Sequence, residues 1–594
     1  MNKKAYEDLI QQYQQTLTRV NRTYSILSYS RLICFLLGIA ITYFVFQAGY
    51  ESASIFVGSL LLVLFMYLIK IHTDVANQRE YLQHLVDINQ LEIDVQAGKR
   101  QDLDEGKEYI DPMHPYSFDL DLFGRASIFQ YINRCSTILG KNQLADALKQ
   151  PPTQADEILG RQAAIQEIEG KLNWSQHFQA VGQGKIEELG EINALLTWLK
   201  EPVKYVHSRL YKVLLWLMPL LFVLTIVGWF AGFSPPHLIL IVFLLELLVV
   251  GWNLKTTNDH HAQVGRKSRL LNKYAALLKA IEEEQFETEL LLELQAQLSA
   301  SGQSASEAIN QLGTITYYLD QRMNAAAALI LNGVVLWDLQ CVSRLEKWKL
   351  AYQSQMEDWF RVIANLDAFV SLGRFGYNHP SFCRAELQSE DFVIDSVELG
   401  HPLIPDEVRV NNDVDMKQGE FLIITGANMA GKSTFLRTVG VNLILAMMGA
   451  PVCAKQYRFA PIQMISSVRA TDSLVDNESY FYAELKRLKT IIDQLKEGPA
   501  FVIVDEMLRG TNSRDKQTGS RRFIENLIRL HGVGLIATHD LALGKLADDY
   551  PKNVRNKRFE VAIEGEELFF DYKLQEGISQ NLNATFLMEQ MGIM

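Results

Sequence analysis

Gly426-Ala427-Asn428-Met429-Ala430-Gly431-Lys432-Ser433, followed by Thr434, is where residue type and spacing first point to chemistry. The run satisfies GxxxxGK[ST]. In that layout glycines let backbone N–H groups wrap a phosphate, the lysine reaches the β and γ oxygens, and the serine hydroxyl ligates Mg2+. The loop needs a strand before it and a helix after it, so that the positive helix N-terminus faces the anion. FLIIT (421–425) is an apolar, β-branched run, and TFLRTVGVNLILAMM (434–448) continues as a helix. A second apolar run, FVIVDE (501–506), ends in two carboxylates: Asp505 is placed for Mg2+ and Glu506 for positioning and deprotonating a water. A third, VGLIAT (533–538), delivers His539 and then Asp540, a position from which a side chain can sense a γ-phosphate. Acidic turns and capping histidines also end many strands for structural reasons alone. The chemistry expected is thus ATP and Mg2+ binding, with Lys432, Glu506 and His539 as catalytic groups and Ser433 and Asp505 as metal ligands.

These residues carry a family resemblance. The run ITGANMAGKSTFLRTVGVNLILAMMGAPVCA (424–454) resembles the nucleotide-binding segment of the MutS family, an ABC-class ATPase family. DEMLRGTNS (505–513) is similar to its Walker B and D-loop, ATHD (537–540) to its switch histidine, and NESYFYAEL (477–485) to its signature segment. Upstream, SIFQYINRCSTILGKNQLADALKQP (127–151) with Arg161 resembles the start of the MutS helical core, and IANLDAFVSL (363–372) the connection back to the ATPase. His401-Pro402 stands where the family enters that domain. The resemblance implies a dimer, with itself or with a relative, in which each ATP lies between one phosphate loop and the partner's signature segment. Ser479 then acts in trans, Asn428 helps position phosphate or water, and closure is the mechanical output.

The elements that must position this site are less ordinary. With 594 residues, 48% of them hydrophobic, the chain can bury several cores, and its formal charge of −12 leaves nucleic-acid contact to local basic patches. Five scattered cysteines (Cys34, Cys135, Cys341, Cys383, Cys453) without a CxxC pair fit structural thiols in a reducing compartment and no zinc site. Residues 32–46 and 53–69 are apolar on every face, as are 213–233 and 238–252. Counting weakly polar flanks, these are two transmembrane hairpins; the competing reading is buried core helices of a large soluble protein. Lys3, Lys4, Arg19, Arg22 and Arg31 precede the first hairpin and Lys70 and Arg79 follow it, whereas its turn holds only Glu51. Lys204, Arg209 and Lys212 lead into the second and Lys255, Arg266, Lys267 and Arg269 lead out. That bias puts both termini and the ATPase in the cytoplasm of a multi-pass membrane protein. Glu246 is either a functional intramembrane carboxylate or a bundle-facing one.

The expected organisation is an N-terminal helix (1–31), hairpin 1 (32–71), a helical linker (72–117), a MutS-like helical core (118–380) interrupted by hairpin 2 (213–254), and an α/β ABC-type ATPase domain (381–594). The stretch from Leu270 to Phe360 reads as nearly continuous lever helix, or as a passive bundle. Three departures from the family stand out. Residues 1–110 hold no Phe-x-Glu mismatch wedge, no β-rich DNA clamp is identifiable, and no C-terminal helix-turn-helix extension follows. The expectations are a membrane-anchored ATPase that engages DNA without reading mismatches directly, or an ATP-switched membrane machine with a protein or lipid client. A transporter fits less well, because a MutS-like core separates the spans from the ATPase.

Overall fold

The computed structural model describes residues 2–184, 189–299, 302–388, 392–427, 429–469, 480–508, 511–564 and 567–580. Two helices, Lys3–Gln47 and Glu51–Gln96, form one antiparallel hairpin turned at Gly49 (φ 85°). At about 1.5 Å per residue each is roughly 68 Å long, twice the hydrocarbon thickness of a bilayer. The apolar half is therefore the tip of a longer rod, continuous with the polar helices before and after it. Small residues let the tip close up: a Cβ at Gly58 would stand 3.2 Å from Thr42. Around them Phe35, Leu36, Phe44, Phe56 and Val63 are exposed. At the root the pattern inverts, and Tyr6, Leu82, Leu85 and Ile88 are buried against the body.

Arg209–Phe230 and His237–Trp252 form the second apolar hairpin, and the latter bends by 62° into Leu254–Val264. Among the described residues three helices are long and apolar enough to cross a membrane, namely the two of the long hairpin and Arg209–Phe230. His237–Trp252 reaches that length only together with its bent continuation. Glu246, on this helix, is fully buried.

The region after Leu270 is not the near-continuous helix its composition suggests. It is a set of shorter helices, and one break, bent by 79°, separates Ala325–Val335 from Trp337–Tyr352. Leu336 takes a left-handed conformation there (φ 51°), and Asn332 Oδ1 accepts from the Asp338 amide across the break. The cause is a third apolar element. Ala325–Val335 leaves the lever to pack on the second hairpin, with Gly333 so close to Phe243 that a Cβ would fall 2.2 Å from the ring. Among the described residues between Arg269 and Phe360 every element is helical.

Met356–Asn378 is the axis of the helical body, buried on nearly all sides. Its Asp367 accepts from the Ser136 and Thr137 amides and from the Thr137 hydroxyl (2.7 Å), pinning the start of helix Ile138–Lys149. Beyond it the chain enters two sheets. Strands β1 (Glu386–Leu387), β2 (Phe392–Leu399), β3 (Asn412–Lys417) and β5 (Gln456–Phe459) form a small sheet in the order β1-β5-β2-β3. The second comprises β4 (Phe421–Gly426), β6 (Gln463–Ser467), β7 (Ala500–Asp505), β8 (Val533–Thr538), β9 (Val554–Glu564) and β10 (Glu567–Glu576), ordered β10-β9-β4-β8-β7-β6. All its pairings are parallel except β9 with β10. β4, β7 and β8 are buried at every residue, as a parallel sheet covered on both faces requires, and they lie side by side with their C-terminal ends together.

Candidate nucleotide site

Those three strand tips bring the sequence-predicted residues into one place. β4 feeds the glycine-rich loop, and helix Lys432–Met447 starts from Gly431 in a left-handed conformation (φ 100°). Gly426 cannot be larger, since a Cβ there would lie 2.7 Å from the Phe559 carbonyl oxygen of β9. Lys432 is 6% exposed, and its Nζ donates to the carbonyls of Gly426 (2.8 Å) and Ala427 (2.9 Å). Burial pulls its pKa below the usual lysine value, and Asp505 and Glu506 oppose that shift. Ser433 Oγ donates to Asp505 Oδ2, joining the first turn of the loop helix to the tip of β7. One hydroxyl and one carboxylate are hard oxygen donors of the kind Mg2+ takes alongside phosphate oxygens and retained waters. Among the described residues no cluster of three or more His, Cys, Asp or Glu could hold a metal unaided. The pair therefore fits a metal shared with a phosphate.

Glu506 follows β7 at φ 51°, a conformation costly for a non-glycine residue, and its amide is held by the Ala537 carbonyl of β8 (3.0 Å). This aims its carboxylate at His539, beyond the tip of β8, whose Nε2 it contacts. His539 Nδ1 lies 2.9 Å from the Gly426 carbonyl oxygen and 3.4 Å from Lys432 Nζ. Lys432, Ser433, Asp505, Glu506 and His539 thus converge, while Asn428 and Ser479 lie outside the described residues.

A cavity of about 650 Å³ opens over the loop, its lining including Gly431 to Phe435, Asp505, Glu506, Val408, Met429 and Tyr572. Tyr572 escapes the motif-based reading. A bulge between Phe570 and Leu574 in β10 gives it φ 52° and lays its ring against Gly431, where a Cβ would be 3.0 Å from Cδ1. Asn412 of β3 fixes the bulge through the Tyr572 carbonyl (3.1 Å) and the Leu574 amide (2.8 Å). The only local signal is the aromatic run Phe569-Phe570-Asp571-Tyr572.

Fold and loop together define a phosphate-loop α/β domain carried on a helical body. The family model for MutS domain III matches residues 88–373 and that for MutS domain V residues 422–586. The chain belongs to the MutS family. It is 34% identical over 237 residues to the DNA mismatch repair protein Msh2 of Dictyostelium discoideum, covering 37% of this chain and 25% of that protein. It is 29% identical over 249 residues to MutS of Natronomonas pharaonis (41% and 28%), and 31% over 229 residues to MSH3 of Vanderwaltozyma polyspora (37% and 22%). The matched stretch spans between about a fifth and three tenths of each relative's length.

Proposed function

We propose that the chain is a membrane-anchored, Mg2+-dependent ATP hydrolase whose paired copies complete each other's sites and drive a conformational change on DNA. The observation that carries the reading is the convergence of Lys432, the Ser433–Asp505 pair and the Glu506–His539 pair at three adjacent strand tips around one cavity. Lys432 and the loop amides bind the β and γ phosphates. Ser433 and Asp505 would hold Mg2+, which would supply charge neutralisation on the phosphates. Glu506 orients the attacking water and takes its proton at the carboxylate, and His539 holds that carboxylate in place and faces the γ-phosphate. Similarity to the DNA mismatch repair relatives supports dimerisation, with itself or with a relative, and a DNA client. The exposed apolar helices and the cation bias at their roots support anchoring, with both termini and the ATPase cytoplasmic.

A second reading, a protein or lipid client, is favoured by how the long hairpin is rooted. Tyr6 donates to Asn378 Oδ1 (2.7 Å), Asn2 to the Tyr377 carbonyl (3.0 Å), and Asn378 to Glu92 Oε2 (2.9 Å), at the end of the helix leading to the ATPase. The root of the hairpin is therefore bonded directly to the helix that enters the ATPase. Detergent-solubilised full-length protein decides between them. Mg-ATP hydrolysis with salt-sensitive DNA binding supports the first; hydrolysis stimulated by lipid, with no affinity for duplex, branched or single-stranded DNA, replaces it with the second. Failure to bind Mg-ATP removes both.

A further inference from the structure

Phe243, Glu246 and Val250 stand three and four residues apart on helix His237–Trp252 and so share one face. That face meets the break in the lever at Leu336. Gly333, on Ala325–Val335, abuts the Phe243 ring, and Val250 packs in one cluster with Leu215, Leu336 and Leu339. Glu246, between these two contacts, is 0% exposed, and the atoms that bury it are the protein's own. The Leu336 amide stands beside it, yet neither carboxylate oxygen has a hydrogen-bond partner among the described residues.

The elements around Glu246 bring no counter-charge to it. Ala325–Val335 contains no titratable residue. His237 begins Glu246's own helix, roughly 13 Å away along the axis. Arg209, Tyr211 and Lys212 open the other helix of the hairpin, and the Tyr211 hydroxyl bonds Asn253 Oδ1 (2.7 Å), roughly 10 Å along the axis from Glu246. In Leu254–Val264, Lys255 and Asp259 are exposed, His260 accepts from Trp198 (3.0 Å) and His261 contacts Asp320 (3.0 Å). Beyond the break, Asp338 pairs with Arg322 (3.1 Å). Glu346, as deeply buried on Trp337–Tyr352, shows what such a carboxylate requires: it accepts from the amides of Lys204 (2.7 Å), Tyr205 (2.6 Å) and Val206 (2.9 Å). Glu246 has no such set of donors, and a buried carboxylate without donors or counter-charge is held only where a cation neutralises it.

We propose that Glu246 is the carboxyl of an exchangeable monovalent-cation site, for a proton or Na+, built where the second apolar hairpin packs on the lever break. A divalent metal suits it less, since among the described residues no cluster of three or more His, Cys, Asp or Glu surrounds it. The last carbonyls of Ala325–Val335, left without intrahelical partners where that helix ends, supply further oxygens to Na+. The site depends neither on the nucleotide chemistry nor on the hairpin's lying in a bilayer, because the protein itself buries the carboxylate.

Thermal unfolding of the full chain in detergent tests this, with Glu246→Gln as the neutral isostere that needs no cation. A free glutamate is ionised above about pH 4.3, so at neutral pH folding takes up a cation, and the parent gains stability as that cation becomes more abundant. In choline chloride the variant is expected to match the parent at pH 5.5 and to melt higher at pH 9, by about 2 °C or more. Replacing choline by Na+ at the same ionic strength separates the two sources. Closure of the gap at pH 9 identifies Na+, and a gap that only acid closes identifies the proton. Glu246→Leu, also neutral, is expected to give the same pattern, so the result does not hang on the folding of one variant. A difference between parent and variants that stays constant from pH 5.5 to 9 in both salts, or that widens on acidification, overturns the site.

Discussion

Glu506 and His539 face each other across the tips of β7 and β8, carboxylate to Nε2, while the other ring nitrogen of His539 sits 2.9 Å from the Gly426 carbonyl oxygen. A carbonyl only accepts, so Nδ1 carries a proton, and the contact with the carboxylate needs a second proton on Nε2 or on Glu506. The histidine therefore ties the Glu506 carboxylate, the proposed base, to the phosphate loop. Glu506→Gln keeps the shape and removes the base, so hydrolysis is expected to fall about 100-fold or more with ATP affinity preserved. His539→Ala shifts the rate in the same direction by a smaller factor. Single-turnover hydrolysis beside equilibrium nucleotide binding checks both, and a Glu506→Gln protein hydrolysing at the parental rate ends the assignment.

Lys432 acts at an earlier step. Its ammonium is buried and held by two loop carbonyls, so it is fixed where the proposed function brings the phosphate oxygens. Lys432→Ala removes the buried charge that offsets Asp505 and Glu506 and is expected to abolish Mg-ATP binding at millimolar nucleotide. Retention of radiolabelled ATP on a filter measures this directly.

Tyr572 lies against Gly431 and lines the same cavity as Asp505. An adenine stacked on its ring is worth about 1 kcal/mol, so Tyr572→Ala is expected to weaken ATP binding roughly five- to tenfold. The maximal rate should hold and Tyr572→Phe should bind as the parent does. A change in kcat without a change in affinity contradicts a base-stacking role.

The rooting of the long hairpin offers a stability test. Glu92 and Arg134 pair at 2.8 Å with almost no exposure, and Arg134 and Arg374 pull the carboxyl pKa down against burial. Removing one partner of such a pair strands the other, so Glu92→Leu is expected to cost about 3–5 kcal/mol. Glu92→Leu combined with Arg134→Met should recover part of that. Thermal unfolding of the two variants in one detergent gives the comparison, and equal losses mean the pair is not coupled.

The parts of the site that could be read from sequence are those made within one strand–turn–helix unit. FLIIT, FVIVDE and VGLIAT became β4, β7 and β8 within a residue or two, because a short apolar run ending in a functional turn is a local pattern. Tyr572 was invisible for the opposite reason. It reaches the site through pairing with a strand far along the chain, and it sits in no motif that would single it out. The break at Leu336 was hidden by its setting, an alanine- and leucine-rich run that favours helix on both sides. Tertiary packing of Gly333 on Phe243 accompanies the bend, and neither proline nor a glycine cap marks it.

His379 stands where the axial helix ends and the sheets begin, and its environment makes that junction sensitive to acid. Nδ1 donates to the Phe375 carbonyl (2.8 Å) and Nε2 accepts from the Tyr131 hydroxyl (2.7 Å), an arrangement only the neutral ring satisfies. Burial pushes its pKa down to about 4, against an ordinary value of 6.5. The unfolded chain therefore takes up the proton first on acidification. The contribution is fully present above pH 6.5 and is lost as the pH falls through 4, amounting to about 2 kcal/mol between pH 6.5 and 5. His401, also held down to about 4 by burial, adds a loss of the same sign, so the parent alone does not isolate His379. Comparison with His379→Gln does. The variant starts less stable at pH 7.5 because it loses part of the Phe375–Tyr131 bridge, yet its stability should fall less steeply down to pH 5. Unfolding midpoints for both proteins at half-unit pH steps supply the measurement, and parallel curves would rule out His379 as a source of acid sensitivity.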